Sequence, residues 1–158
     1  MINLVLYQPD IPQNLGACLR LSACMGCVVH VIEPCGFPID HARLRRAGMD
    51  YIDKARYHRH LNWEAFLQYH REQAAPGRLL LLETDGKAPY TSTQFVPTDY
   101  IILGSEGAGT PRALYAQMDA TLTIPMRAGM RSLNMAMSAG VLVAEACRQQ
   151  QWRWPDES

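Results

Sequence analysis

The sequence lacks the marks of a membrane or secreted protein. No stretch approaches the roughly 18 consecutive apolar residues that a membrane-spanning helix needs. The start, MINLVLYQPD, has no basic region ahead of a hydrophobic one, which a secretory leader would have. These absences predict a cytoplasmic protein that makes no contact with a membrane.

Paired cysteines at the spacing of a metal site are also missing. The five cysteines are odd in number, and neither Cys18 nor Cys35 supplies a second pair for Cys24-x-x-Cys27. A thioredoxin-like pair would open a helix, whereas this one follows a helix that we expect to end at Gly26. We therefore expect small, buried, reduced thiols and no metal. The alternative, a redox or zinc protein, depends on Cys24 and Cys27 alone.

Neither sign of charge is in excess. The chain holds 15 Lys and Arg against 15 Asp and Glu, which argues against a protein that binds nucleic acid over its whole surface by charge. Residues 41–60 nonetheless carry six bases and two acids, whereas residues 61–123 carry four bases and seven acids. Such a local surplus allows a polyanion to dock on a neutral protein, although a solvated helix face would have the same composition.

Short apolar runs alternate with helical patterns along the chain. A length of 158 residues is typical of one domain with a self-sufficient core, here expected to span residues 1–158. We predict strands at residues 2–7, 27–32, 55–58, 78–84, 100–103 and 120–124. Helices are predicted from residue 15 to Gly26, over 39–47 with a stop at Gly48, after an N-cap at Asn62, over 110–118 with Thr110 as N-cap, and over 132–150, followed by a polar tail. This order predicts an α/β domain with a mainly parallel sheet flanked by helices.

The first loop of interest follows the first predicted strand. In open parallel sheets, ligands lie outside the carboxyl ends of the strands, so the loops after residues 7, 83, 103 and 124 are the informative ones. The first of them places Asn14, Gly16 and Arg20 at the opening of a helix, where free backbone N–H groups favour an anion. Arg20 is the only Lys or Arg in the first 40 residues. It is a phosphate candidate, although a surface arginine on an amphipathic helix is the simpler alternative.

The second loop is rich in glycine. Its sequence, Gly104-Ser-Glu-Gly-Ala-Gly109, lacks the Lys-Ser/Thr of a Walker A loop, and its glycines do not fit G-x-G-x-x-G. Three glycines allow close backbone approach to a flat or zwitterionic ligand, with Glu106 among them. This pattern favours a binding loop over a plain strand-to-helix turn.

The third loop joins the last predicted strand to the last helix. It sets Arg127 and Arg131, with no acid nearby, beside Ser132, which we expect to be the N-cap. Asn134 would then lie inside the helix among apolar neighbours, where its amide must find a partner in the protein or in a ligand. The loop is therefore a second candidate binding element.

Together the three loops resemble a known family. The patterns Asn14-x-Gly16-x-x-x-Arg20, Leu103-Gly-Ser-Glu-Gly-x-Gly109 and Ile124-Pro-Met leading to Ser132-Leu-Asn134 are similar to motifs 1, 2 and 3 of the SpoU branch of SPOUT RNA 2′-O-methyltransferases. The resemblance covers nearly the whole chain. It is strongest to the short tRNA (cytidine(34)-2′-O)-methyltransferases of the TrmL type, through NLVLYQPDIPQNLGACLRL, IEPCGFPID and LRRAGMDYID.

The resemblance implies a sheet whose C-terminal part is threaded into a trefoil knot that binds S-adenosylmethionine (AdoMet), and a homodimer with its active site at the subunit interface. It implies AdoMet contacts at Leu82, Gly104, Ile124, Met126, Ser132 and Leu133. Its implied catalytic residues are Arg20, Asn14, Glu106 and Asn134, of which Glu106 and Asn134 organise the loops. The basic window and the third loop would then form a track for RNA at Arg43, Arg45, Arg46, Arg127 and Arg131.

The implied substrate is the ribose 2′-hydroxyl of the wobble nucleotide in a tRNA anticodon loop. Because the pKa of free arginine lies above about 12, we expect Arg20 to clamp phosphate and ribose and to stabilise the alkoxide, and not to act as the base. The chain departs from many relatives at Ala136 and Ala144, where a polar residue and a tyrosine are common. The alternatives are methylation of another tRNA or rRNA ribose, and a non-catalytic nucleotide-binding protein of flavodoxin-like shape.

Overall fold

A seven-stranded parallel sheet forms the centre of the protein in the computed structural model, which describes residues 1–46 and 51–154. The strand order across the sheet is β3-β2-β1-β6-β4-β7-β5. The strands are β1 (Asn3–Tyr7), β2 (Val28–Ile32), β3 (Arg56–His60), β4 (Leu79–Leu82), β5 (Ala88–Pro89), β6 (Tyr100–Leu103) and β7 (Ala120–Thr123). The helices are α1 (Pro12–Met25), α2 (His41–Arg46), α3 (Trp63–Arg71) and α4 (Met135–Gln149). The predicted α/β class is confirmed.

The central strands are apolar on both faces because helices cover both sides of the sheet. In β1, Leu4 and Leu6 pack into one hydrophobic cluster, and Val5 and Tyr7 pack into a second cluster on the opposite face. The first cluster lies under α1 and α4, which also contact each other. The second lies under α3, whose Phe66 is fully buried.

Local signals fix the ends of the helices. Pro12 occupies the first turn of α1, and Gly26 ends that helix with a φ of 70°, in the left-handed region that glycine adopts at little cost. Asn62 caps α3 by accepting a hydrogen bond from the backbone N–H of Ala65 at 2.8 Å, as predicted. The predicted stop at Gly48 and the predicted tail after Trp154 lie outside the described residues.

Three predicted helix starts differ from the structure. Helix α1 begins at Pro12, three residues before the predicted start, because proline fits the first turn, where its missing N–H has no partner within the helix. The segment after Thr110 forms a short 3₁₀ helix, Arg112–Gln117, with Pro111 as its N-cap residue. The last helix begins at Met135, and its N-cap is Asn134, whose side chain accepts from the N–H groups of Ala136 and Met137. Asn134 is therefore an exposed cap and not a polar residue within the helix. The strand β5, which is only two residues long, was not predicted.

A buried histidine pair lies beneath α3. His30 on β2 is 0% exposed, and its Nδ1 lies 3.0 Å from Nε2 of His60 on β3. Its Nε2 lies 3.2 Å from Oδ1 of Asn3, so both ring nitrogens have partners. Burial lowers the pKa of His30 to about 3 and that of His60 to about 4, because a charged imidazole is poorly solvated there. Both rings are therefore neutral at physiological pH.

In the described part of the chain, no helix has the length and apolar character needed to cross a bilayer.

Candidate functional site

A cavity of about 590 Å³ lies at the carboxyl ends of β1, β6, β4 and β7, four strands that are neighbours in the sheet. We call it the strand-end cavity. All four loops that the sequence singles out contribute to its lining. This is the position at which ligands bind in open parallel sheets.

The wall of the strand-end cavity combines apolar and polar side chains. It includes all six residues predicted to contact a cofactor, which are Leu82, Gly104, Ile124, Met126, Ser132 and Leu133. Asn14, Glu106, Asn134 and Arg131 form a polar part of the lining. Such a combination of apolar and polar groups suits a small organic ligand that carries charge.

Glu106 joins the loop after β1 to the loop after β6. Its Oε2 accepts a hydrogen bond from the backbone N–H of Asp10 at 2.6 Å. Its Oε1 accepts from Nδ2 of Asn14 at 3.0 Å and, more weakly, from the backbone N–H of Ile11 at 3.4 Å. All three of these donors belong to residues 10–14, so the two oxygens of Glu106 hold that segment against the glycine loop.

Asn14 extends this connection to the third loop. Its Oδ1 accepts a hydrogen bond from Nδ2 of Asn134 at 2.9 Å, while Oδ1 of Asn134 caps α4. Asn14 is buried and lies at the opening of α1. Three predicted residues, far apart in sequence, therefore form one hydrogen-bonded network across the polar part of the strand-end cavity.

Asp10 is a site residue that the sequence did not reveal. Its Oδ2 accepts from the hydroxyl of Ser105 at 2.5 Å and from the backbone N–H of Gly107 at 3.2 Å. The glycine loop also closes on itself, because Ser105 and Gly109 exchange two backbone hydrogen bonds and Gly109 has a φ of 67°. An acidic residue within a Pro-rich turn matches no sequence motif, so the role of Asp10 is visible only from its contacts in the fold.

The glycines of the second loop serve the chain itself as well as the cavity. A Cβ at Gly104 would lie 2.7 Å from the backbone carbon of Gly109 and 2.7 Å from the nitrogen of Thr110. The sequence predicted that the glycines let the backbone approach a ligand closely. At Gly104 the backbone instead lies close to another part of the same loop. Gly104 lines the strand-end cavity at the same time.

Arg20 does not lie in the strand-end cavity of its own chain. It is exposed on α1, six positions after Asn14, which corresponds to about 9 Å along a helix axis. Its guanidinium lies over the ring of Tyr51, 4.7 Å from the centroid. The structure thus unites three of the four predicted catalytic residues and separates the fourth.

The predicted RNA-binding arginines fall into two groups. Arg131 lines the strand-end cavity, and Arg127 belongs to the same loop. The other group lies on α2, where Arg45 makes hydrogen bonds of 2.6 Å to both carboxylate oxygens of Asp53 and where Arg43 lies 3.7 Å from Asp40. The third member, Arg46, donates to the backbone carbonyl of Ala42. The positive charge of α2 is therefore partly neutralised within the chain.

The cysteines show no arrangement for metal or redox chemistry. In residues 1–46 and 51–154, no group of three or more His, Cys, Asp or Glu side chains is placed to hold a metal ion. Cys27 is buried, and burial raises the pKa of its thiol to about 12, which disfavours a reactive thiolate. Cys24 is exposed, so the prediction that both members of the pair are buried is wrong for that residue.

Comparison with known proteins places these motifs in context. Residues 1–144 match the family model described as the SpoU rRNA Methylase family. The tRNA (cytidine(34)-2′-O)-methyltransferase of Beijerinckia indica subsp. indica is 48% identical over 146 residues, which cover 92% of this chain and 90% of the relative.

Solved structures show the same similarity. One, described as "Structural insights into the 2-OH methylation of C/U34 on tRNA", is 38% identical with a TM-score of 0.88, covering 97% of this chain and 98% of the other. The SpoU methyltransferase AviRb from Streptomyces viridochromogenes, solved in complex with the cofactor AdoMet, shares the fold at 22% identity with a TM-score of 0.85, covering 94% of this chain and 57% of the other. The match of the family model over most of the chain and the high identity to full-length relatives agree, and the chain belongs to the SpoU methylase family.

Proposed function

We propose that this protein transfers the methyl group of AdoMet to the ribose 2′-hydroxyl of nucleotide 34 in tRNA anticodon loops. The observation that carries the proposal is the similarity to relatives named for this reaction, which extends over 92% of this chain. A cytoplasmic location follows from this substrate.

The residues of the strand-end cavity fit AdoMet. Its volume of about 590 Å³ lies within the range of small-molecule and cofactor sites. Leu82, Ile124 and Met126 offer apolar surface for the adenine ring and the aliphatic chain, and Gly104 leaves its backbone accessible to polar groups. Arg131 supplies a cation at the rim that suits a carboxylate. When bound, AdoMet supplies a methyl group on a positively charged sulfur.

The residues of the chain act mainly by positioning. The ribose 2′-oxygen must approach the methyl carbon in line with the bond to sulfur, so the loops that hold both reactants must be fixed. Glu106, Asn14 and Asn134 fix them through the network described above. Arg20 binds phosphate and ribose as a cation, which stabilises negative charge on the attacking oxygen.

The position of Arg20 supports a homodimer. Since Arg20 lies outside the strand-end cavity of its own chain, it reaches a methyl donor only if two copies associate, and Arg20 of the partner subunit then completes each site. Met130 in the third loop and Met137 in the first turn of α4 are 65% and 64% exposed, and Leu133 of the same loop is also exposed. An apolar surface beside an incomplete site is the kind of surface that a second copy covers.

We further propose that residues 1–158 act as a single methyltransferase domain and that its C-terminal part forms the trefoil knot of this family. The support for the knot is the strand order, in which β6 enters between β1 and β4 and β7 enters between β4 and β5. The third loop and the glycine loop both line the strand-end cavity, and α4, which follows the third loop, packs against α1.

Methylation of bulk tRNA with labelled AdoMet, followed by nuclease mapping and mass spectrometry, tests the proposed function. We expect one 2′-O-methylated nucleotide per acceptor, at position 34, and no transfer to a transcript that carries a 2′-deoxyribose there. Transfer to a different ribose in tRNA or rRNA would assign the protein to another branch of the reaction. Absence of AdoMet binding by calorimetry, with and without RNA, would leave only a non-catalytic binding protein.

A further inference from the structure

A second cavity of about 410 Å³ lies on the other side of α1 from the strand-end cavity. We call it the Tyr51 groove. One side is a face of α1, where the residues at helical spacing are Gln13, Gly16, Ala17 and Arg20. The other side carries Phe37 and Tyr51. The two cavities therefore share the first turns of one helix.

The lining of the Tyr51 groove combines aromatic and apolar surface with two cations. Leu44 and Pro38 complete the apolar part, and Arg20 and Arg43 are the only charged residues among the described residues that line it. An apolar ligand would not pair with the arginines, and a free anion would not contact the aromatic and apolar surface. A nucleobase does, because its flat face stacks on aromatic rings and on guanidinium planes while its phosphate pairs with arginine.

The Arg20–Tyr51 pair already presents such a stacked surface. The guanidinium lies 4.7 Å from the ring centroid, and neither side chain is fully buried. We propose that the Tyr51 groove binds an unpaired base of the RNA substrate and holds it against Tyr51 while Arg20 engages the adjoining ribose and phosphate. This inference rests on the proposed function for the identity of the RNA, and it assigns the groove as a substrate subsite separate from the strand-end cavity.

Two substitutions test the groove. Tyr51→Ala removes the ring, and Tyr51→Phe keeps it. Because Tyr51 also packs against the fold, a second variant leaves the packing intact: Ala17→Glu adds an acid at an exposed helix position in the groove. The matched control is Ala116→Glu, at an exposed position of the 3₁₀ helix on the opposite face of the sheet. Circular dichroism checks that each variant is folded.

The readouts are the KM for an anticodon stem-loop RNA and its Kd by fluorescence anisotropy, each with intact RNA and with single abasic positions in the loop. Tyr51→Ala, through loss of one base stack, and Ala17→Glu, through repulsion of phosphate, are expected to raise both constants about tenfold. Tyr51→Phe, which keeps the ring, should lose less than Tyr51→Ala, and Ala116→Glu should match the parent protein. At one loop position, removal of the base should have the same effect as Tyr51→Ala, and the two changes together should cost no more than either alone.

The outcomes separate the inference from the proposed function. Unchanged constants in Tyr51→Ala and Ala17→Glu, or additive effects at every abasic position, overturn the groove as a base site. A shift of these two variants from dimer to monomer in sedimentation equilibrium overturns it as well, because the higher constants would then come from loss of the subunit interface beside Arg20 and not from loss of a base contact. If the parent protein methylates no RNA but the non-additive binding persists, the groove assignment stands and the proposed function fails.

Discussion

Replacement of Glu106 by glutamine tests the hydrogen-bonded network with one atom changed. The carboxylate accepts from Asp10 N, Ile11 N and Asn14 Nδ2, so both of its oxygens face donors. A carboxamide must turn its NH₂ group toward a donor in either orientation. Glu106→Gln therefore loses one charge-assisted hydrogen bond and gains a repulsive contact, although it has almost the same volume as the native side chain.

The expected cost follows from these contacts. Glu106 is half-buried, which reduces the effect below that of a fully buried charge. A loss of about 2 kcal/mol in the preference for the ordered loops corresponds to roughly 30-fold in an equilibrium constant. We expect the Kd for AdoMet to rise by about this factor in calorimetry and kcat/KM for tRNA to fall at least as much. The control is Glu64→Gln, at an exposed position on α3, which should change neither constant.

A second substitution provides a rescue. In the double variant Glu106→Gln with Asn14→Asp, the new carboxylate at position 14 accepts from the new carboxamide and from Nδ2 of Asn134, while the carboxamide oxygen still accepts from Asp10 N. The net charge of the site is unchanged. We expect the double variant to recover most of the AdoMet affinity that the single variant loses. A single variant that binds AdoMet as the parent protein does, or a double variant no better than the single one, refutes the role of the network.

Further predictions concern catalysis, pH and assembly. Arg20→Ala is expected to abolish methylation, measured with labelled AdoMet, and to leave the Kd for AdoMet unchanged, because Arg20 lies outside the strand-end cavity; unchanged turnover would contradict the clamp. The pKa values of His30 and His60 in the folded protein lie below the unfolded value of about 6.5. Their contribution to stability is therefore fully present above pH 6.5, and the stability should decrease as the pH is lowered from about 6.5 towards about 3. The free energy of unfolding, measured with urea, should be about 2 to 4 kcal/mol lower at pH 5 than at pH 7.5, and His60→Gln should reduce this difference. Equal free energies of unfolding at the two pH values would contradict the role of the histidine pair. Met137→Glu, at a 64% exposed position, should shift sedimentation equilibrium towards the monomer, whereas persistence of the dimer would place the interface elsewhere.

The sequence predicted the strand-end cavity well because its signals are local. Apolar runs mark the strands, and a loop that follows a parallel strand must lie at one edge of the sheet. The six residues that the family resemblance implies as cofactor contacts also line this cavity. Asp10 was missed because its partners, Ser105 and Gly107, are distant in sequence, and no local pattern shows that two loops meet.

The error at the start of α4 has a physical cause. Helix propensity ranks asparagine low inside helices, which suggested a partner in a ligand for Asn134, but the same side chain is among the best N-caps. A shift of the helix start by three residues changes its environment from buried to exposed. Such shifts are within the ordinary uncertainty of helix ends, so the role of a polar residue near an expected start depends on the observed cap geometry.

The arrangement of α1 explains why one motif serves two places. Asn14 and Arg20 belong to the same sequence motif, yet Asn14 lies in the strand-end cavity and Arg20 in the Tyr51 groove. Because α1 is anchored by Pro12 at one end and by Gly26 at the other, the helix fixes the distance and the angle between these two side chains.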